Sequence, residues 1–129
     1  MTTFSEVVEN VTAVLNAAGL EYMLVGSVAA SIHGFVRDTH DLDVVIALRP
    51  AAIARLAEAL GDQYYFDEEA AREAADNHDM FNIIHYDSGV KVDFWILKTE
   101  EFSKTQFERR QPAVAWGVPT YVESAEDTI

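Results

Sequence analysis

The chain predicts an α/β (α+β) fold: a mixed, mainly antiparallel sheet of four to five strands, helices packed on one face and an acidic site on the other. Three observations carry this. Apolar residues from Phe4 to Ala18 recur at helical intervals. From Asp41 to Val44 acidic and apolar residues alternate, the period of a strand, and the run stays apolar to Leu48. Met80–Tyr86 and Val90–Leu97 are two more strand-like runs, joined by Asp87-Ser88-Gly89, a loop of hairpin length.

The elements follow in order. Thr3 with Glu6 three residues later has capping-box spacing, and Gly19 is a natural stop for the helix between them. Tyr22–Val25 reads as a short apolar strand. Gly26-Ser27 ends it, and Val28–His33 reads as a helix of small residues stopped by Gly34. A loop, Phe35–His40, leads into the strand that opens with Asp41 and Asp43. Pro50 suits the first turn of the next helix, whose Ile53, Leu56, Ala57 and Leu60 share a face, and Gly61 stops it. Asp67–Ala75 reads as a further helix. Beyond the hairpin, Glu100–Arg109 reads as a short helix. Ala113–Trp116 and Thr120–Val122 read as edge strands around Gly117-Val118-Pro119. Ser124 is placed to cap a last helical turn with acids in it.

The 129 residues predict one domain, 1–129. No apolar run is long enough to span a membrane, and no cysteine is present for a disulfide or a thiolate zinc site. A cytoplasmic protein is the expectation. The net charge of −13 repels phosphates, so bulk nucleic acid is not an expected partner. Among the four histidines no metal-binding spacing occurs; His40, beside the acidic pair, is the one to test.

Chemistry is expected where acids line up. Asp41 and Asp43 are two apart on a strand and project from one face, while Leu42, Val44 and Ile46 project from the other. Neighbouring carboxylates repel unless a cation lies between them. Asp93, inside the apolar run Val90–Leu97, shares a face with Lys91 and Trp95. A glycine-led helix start such as Gly26-Ser27 offers backbone N–H groups to a phosphate. Arg37 either meets phosphate or clamps its loop. Lys91 either touches phosphate or faces solvent, and Trp95 either stacks on a ligand or packs.

Gly26-Ser27, then Asp41-Leu42-Asp43, then Asp93 on a later strand resembles the polymerase-beta-like nucleotidyltransferase superfamily. The run Arg37-Asp38-Thr39-His40-Asp41-Leu42-Asp43 is similar to the version in small bacterial and archaeal members related to abortive-infection toxin nucleotidyltransferases. The resemblance spans about residues 20 to 128. It implies that Asp41, Asp43 and Asp93 bind Mg²⁺ (or Mn²⁺), with Asp93 also the general base. It implies that Gly26 and Ser27 hold the β- and γ-phosphates of a nucleoside triphosphate (ATP or another NTP). A nucleoside monophosphate would pass to a hydroxyl of an unknown acceptor: a protein side chain, a small molecule or an RNA end. Three carboxylates on adjacent strands suit such chemistry, because Mg²⁺ takes few protein ligands beside substrate phosphates. Only the first turn of the family's downstream helical region is present, so a second copy or a helical partner is expected to complete it. The alternative is a catalytically weak or inactive interaction module of a toxin–antitoxin-like pair.

Overall fold

The structure, a computed structural model, describes residues 2–34 and 41–128. Arg37, Thr39 and His40 lie outside these residues. Helix α1 (Phe4–Ala17) begins where the Thr3 hydroxyl accepts from the Glu6 N–H at 3.2 Å, and its buried stripe is Val7, Val8, Val11 and Leu15. The Leu20 N–H returns to the Leu15 carbonyl as the chain turns back at Gly19. Strand β1 (Glu21–Val25) runs directly into helix α2 (Gly26–Ile32). Strand β2 (Leu42–Ala47) follows the undescribed loop, then a 3₁₀ turn (Pro50–Ala52), helix α3 (Ile53–Leu60) and strand β3 (Tyr64–Tyr65). Helix α4 (Glu68–Asn77) is capped by Asp67, whose Oδ1 accepts from the Glu69 and Ala70 N–H groups. Strands β4 (Met80–His85) and β5 (Lys91–Ile96) form the expected hairpin. Helix α5 (Glu101–Glu108), strands β6 (Gln111–Ala115) and β7 (Val118–Val122), and the short helix α6 (Ala125–Thr128) complete the chain.

The sheet has seven strands, not four to five, in the order β3-β4-β5-β2-β1-β7-β6. It is mixed: β2 pairs parallel with β5, β1 pairs parallel with β7, and the other neighbours are antiparallel. The added width comes from the flanks. The two residues of β3 pair with the end of β4, too short a run for alternation to reveal. At the other flank the turn falls at Trp116-Gly117, both with positive φ, so Val118 and Pro119 already belong to β7. Pro119 is tolerated because β7 meets β1 only at Leu24↔Val122, leaving most of its inner edge free of a ladder.

One face of the sheet is the core. Leu24, Val44, Phe94 and Ile83 project into it, fully buried, against the stripes of α1, α3 and α4. Phe81 stacks on Phe94 at 5.1 Å there. The helices are not confined to this face. Tyr121 and Glu21 alternate with core-facing neighbours and so point the other way, and Arg110, just after α5, stacks on Tyr121 and pairs with Glu21 at 3.2 Å. Arg110 also covers the ring of Phe107 at 4.2 Å. The end of α5 therefore covers the β1–β7 part of the second face, and among the described residues no helix covers the β2–β5–β4 part.

Candidate active site

The open face is set by register. On β2 the residues turned away from the core are Asp43, Val45 and Ala47; on β5 they are Lys91, Asp93 and Trp95. The parallel ladder places Asp43 directly beside Asp93, and the same row continues to Asn82 on β4 and Val25 on β1. Two carboxylates from segments fifty residues apart thus become cross-strand neighbours, side chains on one surface.

Asp41 stands just ahead of this ladder, since β2 begins at Leu42. It is exposed, yet near enough that its charge acts on Asp43. Among the described residues no group of three His, Asp or Glu side chains gathers closely enough to hold a metal ion. The structure therefore brings together Asp43 and Asp93 and leaves Asp41 beside them.

The environment of the pair is uneven. Burial raises the Asp43 carboxyl above its ordinary value; the Trp95 indole N–H, 3.5 Å from Oδ1, opposes this, and the charges of Asp93 and Asp41 add to it. The Asp93 side chain is 16% exposed. Its Oδ1 is buried and, among the described residues, accepts no hydrogen bond; the Lys91 ammonium is 3.8 Å away, an electrostatic neighbour beyond hydrogen-bonding distance. A buried carboxylate oxygen without a donor is a fit ligand for a hard cation.

The turn from β1 into α2 lies against this pair. Gly26 has φ +67, and a Cβ there would come within 2.9 Å of Asp43 Oδ2. Only a residue without a side chain brings backbone so close to the acid. The Gly26 N–H is not free, because Glu123 Oε1 accepts from it at 3.3 Å. Burial raises the Glu123 carboxyl above its usual value, with this bond pulling the other way. Ser27 is half-buried at the same turn. Helix α2 is further tied to the β7 end by His33, whose Nε2 lies 2.7 Å from the Glu123 carbonyl oxygen.

Lys91 is exposed beside Asp93, and Trp95 is 45% exposed on the same face. Arg37 lies outside the described residues. Sequence reasoning missed Asn82 and Glu123. A lone amide between Phe81 and Ile83 was a signal for Asn82, of the same kind that marked Asp93. Nothing local sets Glu123 apart from the acids that follow it; its role arises from the β7–β1 pairing.

No family model and no curated protein matches this chain. Among solved structures, 17 chains match. One is a protein of Thermotoga maritima assigned by inference as a nucleotidyltransferase, 14% identical, with a TM-score of 0.62 over 95% of this chain and 78% of that one. At that identity the likeness concerns architecture, and it shows that this chain has a nucleotidyltransferase-like fold.

Proposed function

We propose that the chain catalyses nucleotidyl transfer from a nucleoside triphosphate to a hydroxyl of an acceptor, releasing pyrophosphate. The observation that carries this is the in-register pair Asp43 and Asp93, beneath the Gly26 turn, with a buried oxygen on Asp93 that has no hydrogen-bond partner among the described residues. Asp43 and Asp93 would hold Mg²⁺ or Mn²⁺, with Asp41 joining from the end of the loop. The bound ion supplies charge neutralisation at the transferring phosphate. Asp93 is the group placed to accept the proton of the attacking hydroxyl. As the bond from that oxygen to the α-phosphorus forms, the bond to the β-phosphate oxygen breaks. Gly26 and Ser27 orient the leaving phosphates, which displace Glu123 from the Gly26 N–H. Arg37 and Lys91 add positive charge to the same phosphates.

The test is pyrophosphate release in the presence of Mg²⁺ and each NTP, with candidate acceptors supplied as cell extract. Wild type is expected to release it, and Asp93→Asn to lower the rate by about 100-fold or more, the scale of losing one organised transition-state contact. A wild-type protein that binds no NTP with Mg²⁺ would end this reading.

A second reading, an interaction module with little or no activity, is favoured by the exposed Val114 and Trp116 at the β6–β7 edge. NTP binding without pyrophosphate release would select it.

A further inference from the structure

Four of the nine lysines and arginines line one groove, far from the acids in the strand direction. It is an open groove of about 660 Å³ where β2 and β5 end and β1 begins. Arg49, Arg55, Lys98 and Lys104 reach it from four separate segments, with His78 beside them. All four cations are exposed, and among the described residues none pairs with a carboxylate. The one carboxylate in the lining, Glu21, is engaged by Arg110. In a chain of net charge −13, these four side chains gather positive charge in one place.

The groove is continuous with the open face. Ala47 lies on the Asp43–Val45 line of β2, and Leu97 on the Asp93–Trp95 line of β5; both line the groove. Trp95 therefore stands one strand repeat, about 7 Å, from the groove floor. An exposed aromatic ring beside a track of cations suits a ligand with phosphates and flat bases. Arginine adds paired donors that match phosphate oxygens.

We infer that this groove binds the phosphates of a base-bearing ligand, either a short single strand of nucleic acid or a small phosphorylated nucleoside, with a base resting on Trp95. The inference goes beyond the transfer reaction and needs neither a metal nor an NTP, so the two can fail separately.

The experiment uses the full chain in EDTA, with fluorescein-labelled tetra-adenylate followed by anisotropy, and with inorganic tripolyphosphate, AMP and a hexaglutamate peptide as competitors. Binding is expected to weaken with salt, by about 0.7 in log–log slope for each phosphate contacted. Arg49→Gln with Lys98→Gln should weaken it at least tenfold while the melting temperature stays that of wild type. Trp95→Ala should weaken tetra-adenylate and leave tripolyphosphate unchanged. Asp43→Asn should leave tripolyphosphate binding intact. Tight tetra-adenylate with weak AMP and tripolyphosphate identifies a strand as the ligand; the reverse order identifies a small phosphorylated nucleoside. The inference is overturned if no phosphorylated probe binds below millimolar concentration, if the double variant binds like wild type, or if hexaglutamate competes as well as tetra-adenylate.

Discussion

Burial is the largest influence on the Asp43 carboxyl and raises it; the Trp95 contact opposes this, the charges of Asp93 and Asp41 add to it, and Lys91 pulls the other way. A folded-state pKa above the unfolded value makes the protonated acid the form that folding favours. That contribution is full below the ordinary value of 3.8 and is lost as pH rises through the raised folded value. Metal-free Asp43→Asn is therefore expected to melt a few degrees above wild type at pH 7, and the gap should close when both are melted near pH 3. An unchanged gap across that range would show that the acid's charge is not the cause. Glu123 offers a second test. Under the proposed function its carboxylate would compete with phosphate for the Gly26 N–H, so Glu123→Gln should tighten NTP binding about five-fold, or about 1 kcal/mol, in calorimetry at neutral pH. The gain should shrink as the pH falls and wild-type Glu123, its pKa raised, takes up a proton. Alternation made Asp43 and Asp93 legible as facing residues. It could not make Glu123 legible, because a side chain that reaches another strand's turn leaves no periodic trace in its own segment.

At the scale of elements, the β1–α2 turn is the most constrained join. Gly26→Ala places a side chain at φ +67 and against Asp43, so it is expected to cost about 1–2 kcal/mol in urea unfolding and to remove NTP binding. Gly19→Ala has the same handedness of strain with nothing within 4 Å, so it should cost similar stability and leave NTP binding intact. The contrast separates backbone strain from the loss of the close approach. Long, strongly periodic elements were readable from the chain: α1 with its Thr3 cap, β2, and the β4–β5 hairpin. Elements specified by their partners were not. β3 exists because β4 offers an edge, and the end of α5 sits over the second face because Arg110 finds Tyr121 and Glu21 there. None of those contacts follows from local spacing.

For the whole molecule, charge is the governing quantity. A fold carrying −13 gains stability from any salt by screening, so a metal effect has to be separated from an ionic-strength effect. MgCl₂ at ten times its dissociation constant is expected to raise the melting temperature about 5 °C above NaCl of matched ionic strength. Asp43→Asn should respond equally to both salts. Equal responses in wild type would mean that the acids screen but do not bind. Among the described residues, no helix is long and apolar enough to cross a membrane. The overall architecture followed from the sequence as a mixed, mainly antiparallel sheet, and the edge strands β6 and β7 were legible too; the full width was not, because β3 is two residues long and its pairing with β4 is its only signature.

The ladder between β2 and β5 also has a meaning in time. Its two strands begin about fifty residues apart, so the acids meet only after a long loop has closed. During synthesis at about 5–20 residues per second, β2 waits about 3–10 s for β5 to be made. Through that interval β1 can cover one edge of β2 while the other stands open, carrying Asp43 near its start. A charge on an open strand edge discourages pairing with the wrong chain. Until β5 arrives, the same carboxylate that later faces Asp93 is a guard on an unfinished sheet.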